Sequence, residues 1–220
     1  MSSRDDILGR VRARLNRTPE NAAAGRAALE ATLAERAQGP RPALPTQKSA
    51  LVERLVEKSL AYSSSVDRIG RYAEAPAAVA RYLAGLNQPP RAVVWPQLAH
   101  LDWTGAGLAV EARGARDRDL VGITGCFCAI AETGTLMLAS GPQSPASVSL
   151  LPETHIALVP VSRIVAGMEE AFALARAELG ALPRAVNFIS GPSRTGDIEQ
   201  TIVLGAHGPY RVHLILVGDK

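Results

Sequence analysis

With 220 residues, 47% of them hydrophobic and 20% charged, the chain is long enough for one α/β domain with a full core plus an extension. The formal net charge is +3, carried by 21 Arg and only 3 Lys, and no run approaches the roughly 18 apolar residues of a bilayer-spanning helix. Residues 1–60 hold 11 basic and 7 acidic groups, residues 120–220 hold 6 and 8, and the basic end lacks the Lys clusters and interleaved aromatics of a nucleic-acid-binding face.

In chain order, Ile7, Leu8, Val11 and Leu15 recur at helical spacing behind Ser3, a candidate N-cap. Residues 20–38 are Ala-rich and helical in pattern, with few large apolar groups. Gly39-Pro40-Arg41-Pro42-Ala43-Leu44-Pro45 then imposes an extended linker. Leu51, Val52, Leu55, Val56 and Leu60 form a second helical stripe. Residues 1–46 are therefore an arm with a Pro-rich linker, and 47–220 the domain. Within the domain, Val66–Ile69, Ala92–Trp95, Leu108–Val110, Thr135–Ala139, His155–Val159, the segment around Phe188 and Leu214–Val217 read as strands. Pro76 opens a helix carrying Val79, Tyr82, Leu83 and Leu86, and Met168, Phe172, Ala175 and Leu179 mark another. This alternation predicts an α/β fold with a mainly parallel sheet and helices on both faces, whose ligands sit outside the carboxyl ends of the strands.

The stretch 190–213, SGPSRTGDIEQTIVLGAHGPYRVH, is the most informative. Strand, polar glycine loop, glycine turn and strand is how an α/β fold offers backbone N–H groups to a small anion. Gly191, Gly205 and Gly208 also serve tight turns in general, so Ser190, Ser193, Arg194, Thr195 and Asp197 carry the functional reading. Arg194 has the planar fork that grips a carboxylate or phosphate; its alternative role is a surface pair with Asp197 or Glu199. His207, at the turn, can serve as acid, base or anion donor.

A second polar cluster, Glu132-Thr133-Gly134-Thr135, interrupts apolar sequence. Glu132 must be paired, hydrogen-bonded or shifted in pKa there, as a general base or nucleophile or as the brace of its turn. Thr133 and Thr135 are candidate donors to an anion, or ordinary strand residues. His155 and His213 fall inside apolar strand patterns and read as satisfied core or edge histidines. Cys126 and Cys128, the only cysteines, are too close for a good disulfide and too few for an iron–sulfur cluster or a closed zinc site. No HxH, HExxH or acid cluster suggests a metal. The opening MSSRDDILGRVRARLNR lacks the apolar segment of a secretion signal, which predicts a cytoplasmic protein with reduced thiols.

Four segments carry a resemblance: IAETGTLML (130–138), LPETHIALVP (151–160), SGPSRTGDIE (190–199) and GAHGPYRVH (205–213). Their order and spacing resemble the LUD (lactate utilization) family, most closely its LutC/YkgG branch. The resemblance implies a fold similar to the NagB/RpiA/CoA-transferase group and a part in oxidising L-lactate to pyruvate beside LutA-like and LutB-like iron–sulfur proteins. It implies that those partners hold the clusters and that this chain binds no cofactor of its own. A stand-alone isomerase, CoA-transferase or cyclo-ligase acting on a small phosphate or carboxylate is a second reading. A nucleic-acid-binding regulator is a third, resting only on the arginines of the arm. The stripe of the first helix is too narrow to fold alone, and predicts burial on the domain, on a second copy in a homo-oligomer, or on a partner.

Overall fold

The computed structural model describes residues 3–37, 39–196 and 203–218, and the chain divides into two compact units, Met1–Ala43 and Leu44–Lys220. The first unit holds α1 (Ser3–Arg14) and α2 (Pro19–Glu35), neither with a buried residue. Ser3 is already helical rather than a cap. In α2, Thr18 closes a capping box with Asn21 and a proline sits in the first turn, which satisfies free N–H groups that little packing would otherwise protect. Ile7, Val11 and Leu15 remain about half exposed or more.

The second unit begins with α3 (Lys48–Ala61), β1 (Ser65–Ile69), α4 (Ala75–Gly85), β2 (Arg91–Val94), β3 (Ala109–Ala112) and β4 (Val121–Thr124). It continues through β5 (Cys128–Ile130), β6 (Thr135–Ala139), the single turn α5 (Ser147–Leu150), β7 (Thr154–Pro160), β8 (Ile164–Val165) and α6 (Met168–Leu179). β9 (Val186–Ile189), β10 (Arg194–Thr195), β11 (Val203–Leu204) and β12 (Arg211–Val217) complete the described elements.

Six strands make the central sheet, in the order β1-β12-β7-β4-β2-β3, and every pairing in it is parallel. Its middle strands are near-continuous apolar runs, Ile156 to Val159 and Leu214 to Val217, buried as a sheet covered on both faces demands. Burying each such side chain contributes roughly 1.5–3 kcal/mol. α3 supplies Leu51, Val52 and Leu55 to this core, whereas Leu60, read from sequence as part of the same stripe, is 55% exposed.

The expected parallel sheet is there, but it does not take in every strand. β5, β6, β8 and β9 form a separate four-stranded sheet, β8-β5-β6-β9, in which β6 runs antiparallel to both neighbours. Its two faces serve different cores at period two. Ala129, Leu136 and Leu138 join the main core, while Cys128, Ile130 and Met137 pack with Ala171 and Ala175 of α6. A strand apolar at every position carries no signature of its partner's direction, which is why sequence pattern could not separate the two sheets.

Candidate functional site

The polar motifs meet around the last turn of α3. Gly134, at the tip of the β5–β6 hairpin, has φ +66°, and a Cβ there would lie 2.7 Å from Lys58 Cβ and 2.9 Å from the Ser59 amide nitrogen. Gly191, just past β9, has φ +79°, and a Cβ would overlap the Tyr62 carbonyl oxygen. Both glycines therefore let the motif backbones lie directly on the helix. Beside them runs a file of three hydroxyls: Thr133 Oγ1 is 2.7 Å from Thr135 Oγ1, which is 2.7 Å from Ser190 Oγ. Two internal bonds use two of the three hydroxyl protons, so one O–H is left to donate outward. Thr135 in the middle is buried and Thr133 partly so, while Ser190 is exposed and forms the outer end of the file. Ser59 Oγ, buried next to the Gly134 backbone, has no hydrogen-bond partner among the described residues.

Arg194 reaches the same helix end. Its Nη2 donates to Ser63 Oγ at 2.7 Å and to the Tyr62 carbonyl at 3.5 Å. A guanidinium is favoured there because the last carbonyls of a helix carry partial negative charge. Arg194 thus has a structural partner the sequence did not suggest, while Nε and Nη1 make no hydrogen bond among the described residues. The two glycine segments converge on Ser193, whose amide donates to the Pro209 carbonyl at 2.9 Å and whose carbonyl accepts from the Gly205 amide at 2.9 Å. A Cβ on Gly208 would lie 3.1 Å from Ser193 Cβ. Thr195 lies in the short β10–β11 ladder opposite Val203. Asp197 and Glu199 fall outside the described residues.

A single parallel sheet would bring these motifs together by setting their strands side by side. They do gather, by another route. The Glu132–Thr135 hairpin and Ser190 belong to the second sheet, and antiparallel β6–β9 pairing joins them. The cluster also lies at the amino ends of the parallel strands rather than outside their carboxyl ends: Ser63 precedes β1 and the 205–209 turn precedes β12, and these strands run parallel with Ser65 opposite His213.

Two residues stand apart from the polar network. Glu132 ties its hairpin down through its amide, which donates to the Ala166 carbonyl at 2.9 Å. Its half-buried carboxylate has no hydrogen bond or ion pair among the described residues. His207 is exposed, and its ring likewise has no hydrogen bond or ion pair among them. His155 and His213 are buried, as read from sequence, but only half satisfied. His155 Nε2 lies 2.8 Å from Thr124 Oγ1, and His213 Nδ1 2.8 Å from Ser65 Oγ, while His155 Nδ1 and His213 Nε2 have no partner. Burial pulls both imidazoles down to about 4. It likewise pushes the Cys126 thiol up to about 12 and that of Cys128 up to about 11, so both stay protonated at neutral pH. Among the described residues no three of His, Cys, Asp and Glu gather as a metal site, and no helix is long and apolar enough to cross a membrane.

The LUD domain model matches residues 96–217, a stretch that contains the hairpin, both glycine segments and β12. Proteins named lactate utilization protein C are similar over shorter stretches. That of Bacillus subtilis (strain 168) is 44% identical over 103 residues, 46% of this chain and 43% of the relative. That of Shouchella clausii (strain KSM-K16) is 46% identical over 102 residues, 46% of this chain and 44% of the relative. The Exiguobacterium sp. (strain ATCC BAA-1283 / AT1b) protein is 40% identical over 121 residues, 54% of this chain and 53% of the relative. The chain thus spans about half the length of the relatives it matches. The crystal structure of a DUF162 family protein from Deinococcus radiodurans superposes with a TM-score of 0.61 at 28% identity, covering 79% of this chain and 100% of that one. Because the matched segment takes in more than half of the sequence, including the hairpin, Ser190 and both glycine segments, the chain belongs to the LUD domain family.

Proposed function

We propose that this protein works in lactate utilization as a cytoplasmic, LutC-like component of a system that oxidises L-lactate to pyruvate. The observation that carries the reading is the 40–46% identity to proteins of that name. LutA-like and LutB-like iron–sulfur proteins are the partners in this reading, and they hold the clusters. This chain contributes no cluster ligands in it, since its two cysteines are too few for a cluster and pack into different apolar clusters. The motif cluster suits a small carboxylate. The outer hydroxyl of the Thr133–Thr135–Ser190 file would donate one bond, and the free edge of Arg194 a charge-assisted second.

Deleting the gene tests the reading directly. Growth on L-lactate as sole carbon source should be lost and growth on glucose kept, with the plasmid-borne gene restoring the former. Unimpaired growth on lactate would overturn it.

A further inference from the structure

A cleft of about 1050 Å³ opens on the opposite flank of the central sheet from the motif cluster. It is lined by the amino ends of β2, β3 and β4 and the turns leading into them. β3 is the edge strand, so nothing in the sheet closes the cleft on that side. Its lining is mixed, with apolar surface from Pro89, Pro90 and the half-exposed Leu120 beside the polar groups.

The charges around it are divided unevenly. Two carboxylates line the cleft, Glu111 and Asp119, and Arg113 takes both. Its Nε donates to Glu111 Oε2 at 2.8 Å, and its Nη1 and Nη2 donate to the two Asp119 oxygens at 2.6 and 3.0 Å. That fork holds the Asp119 carboxyl below its usual range, so Asp119 stays ionised and committed to Arg113. Arg91 and Arg118 also line the cleft; among the described residues neither guanidinium has a hydrogen bond or ion pair within bonding distance, although the charge of Arg118 helps to lower the Asp119 carboxyl. Three arginines against two carboxylates leave the cleft positive. The two arginines that line it are the ones not gripped by a carboxylate among the described residues.

We propose that this cleft is a binding site for an organic acid larger than lactate, its anionic group held by Arg91 and Arg118 and its hydrocarbon laid on Pro89, Pro90 and Leu120. A three-carbon hydroxy acid would fill only a small part of such a volume and offer the apolar surface almost nothing. The proposal does not depend on the lactate reading, because it concerns a different flank of the molecule and a different ligand.

The test is an amide-shift titration of the ¹⁵N-labelled full-length chain with 4-phenylbutyrate and with its neutral analogue 4-phenylbutanamide, at fixed ionic strength. The anion should shift the amides of Arg91–Val93, Ala109–Glu111 and Leu120–Val121 saturably. The neutral amide should bind about ten-fold more weakly, because it forfeits the charge-assisted bonds. Arg91→Ala and Arg118→Ala should each weaken the anion about five- to ten-fold, and the double variant should abolish saturable binding. Arg176→Ala on α6 should change nothing. Equal affinity for the two probes, shifts centred elsewhere, or wild-type affinity in the double variant would overturn the proposal. The comparison of the two probes uses only the unaltered protein, so it decides the matter even if a variant fails to fold.

Discussion

A methyl group added at Gly191 has nowhere to go. The backbone there is left-handed and the new Cβ would overlap the Tyr62 carbonyl, which belongs to a helix end and cannot step aside as a flexible side chain would. Gly191→Ala should cost at least about 2 kcal/mol by combining strain with a backbone clash, read as a lowered urea midpoint at unchanged slope. Gly196, with open space around the same position and no left-handed φ, is the control, and its alanine variant should be close to neutral. The buried histidines make a prediction of different character. Both imidazoles fall from 6.5 to about 4, chiefly through burial, with Asp67 and Ser65 offsetting part of the effect for His213. Because the folded value lies below the unfolded one, the unfolded chain binds more protons between about pH 6.5 and about pH 4. The stability owed to the neutral rings is complete above that window and drains away as the pH falls through it. Each ring contributes on the order of 3 kcal/mol across the window. Urea midpoints measured from pH 7 to pH 4 should fall accordingly, and His155→Gln should flatten the fall. An unchanged profile in that variant would show that acid lability has another origin.

At the scale of elements, α3 separates what pattern reveals from what it hides. Leu55 and Leu60 lie five positions apart and read alike in the sequence, yet the first is fully buried and the second mostly exposed. Leu55→Ala should cost about 2–5 kcal/mol and Leu60→Ala no more than about 0.5 kcal/mol, a contrast that thermal or urea unfolding resolves at once. Helical period names a face, but where the core stops along that face is set by other segments. The same limit applies to the sheets. The apolar runs in β7 and β12 were legible as buried strands. Val121–Thr124 was not, because four residues before a glycine carry too little pattern. The direction of β5, β6 and β9 was hidden for the reason already given, and with it the antiparallel route that joins Thr135 to Ser190. Of the candidate site, the polar residues were visible because they break apolar sequence. Tyr62, Ser63, Ser59 and Lys58 were not, because a helix end far away in the chain carries no mark of what will land on it.

For the whole molecule, the Pro-rich segment between the two compact units is the place where the backbone has least to hold it: residues 39–46 have no regular structure and are almost all exposed. Limited proteolysis should cut first between about residues 36 and 47 and leave a protected fragment that begins near α3. Early cuts inside 65–190 would contradict the division into Met1–Ala43 and Leu44–Lys220. The arm carries a further expectation. Ile7, Val11 and Leu15 present their stripe to solvent. If the iron–sulfur partners of the proposed lactate system cover it, adding them should slow cleavage within 20–46; cleavage equally fast with and without them would remove that role from the arm.

The strand order has a consequence for how the molecule is made. β12 (Arg211–Val217) is the last described strand to leave the ribosome, yet it lies between β1 and β7, and its register binds both. Until it emerges, β1 and the helix before it have no neighbour in the sheet, and a gap one strand wide stays open through the middle of the core. The bond from Arg194 to Ser63, spanning 131 positions, closes over the same interval. Nascent chains stalled before residue 211 should therefore remain uncompacted and open to chaperones, however much of the sheet they already contain. Completion of the central sheet then becomes a single late event, which seats β1 and the end of α3 only after nearly all of the motif residues have been made.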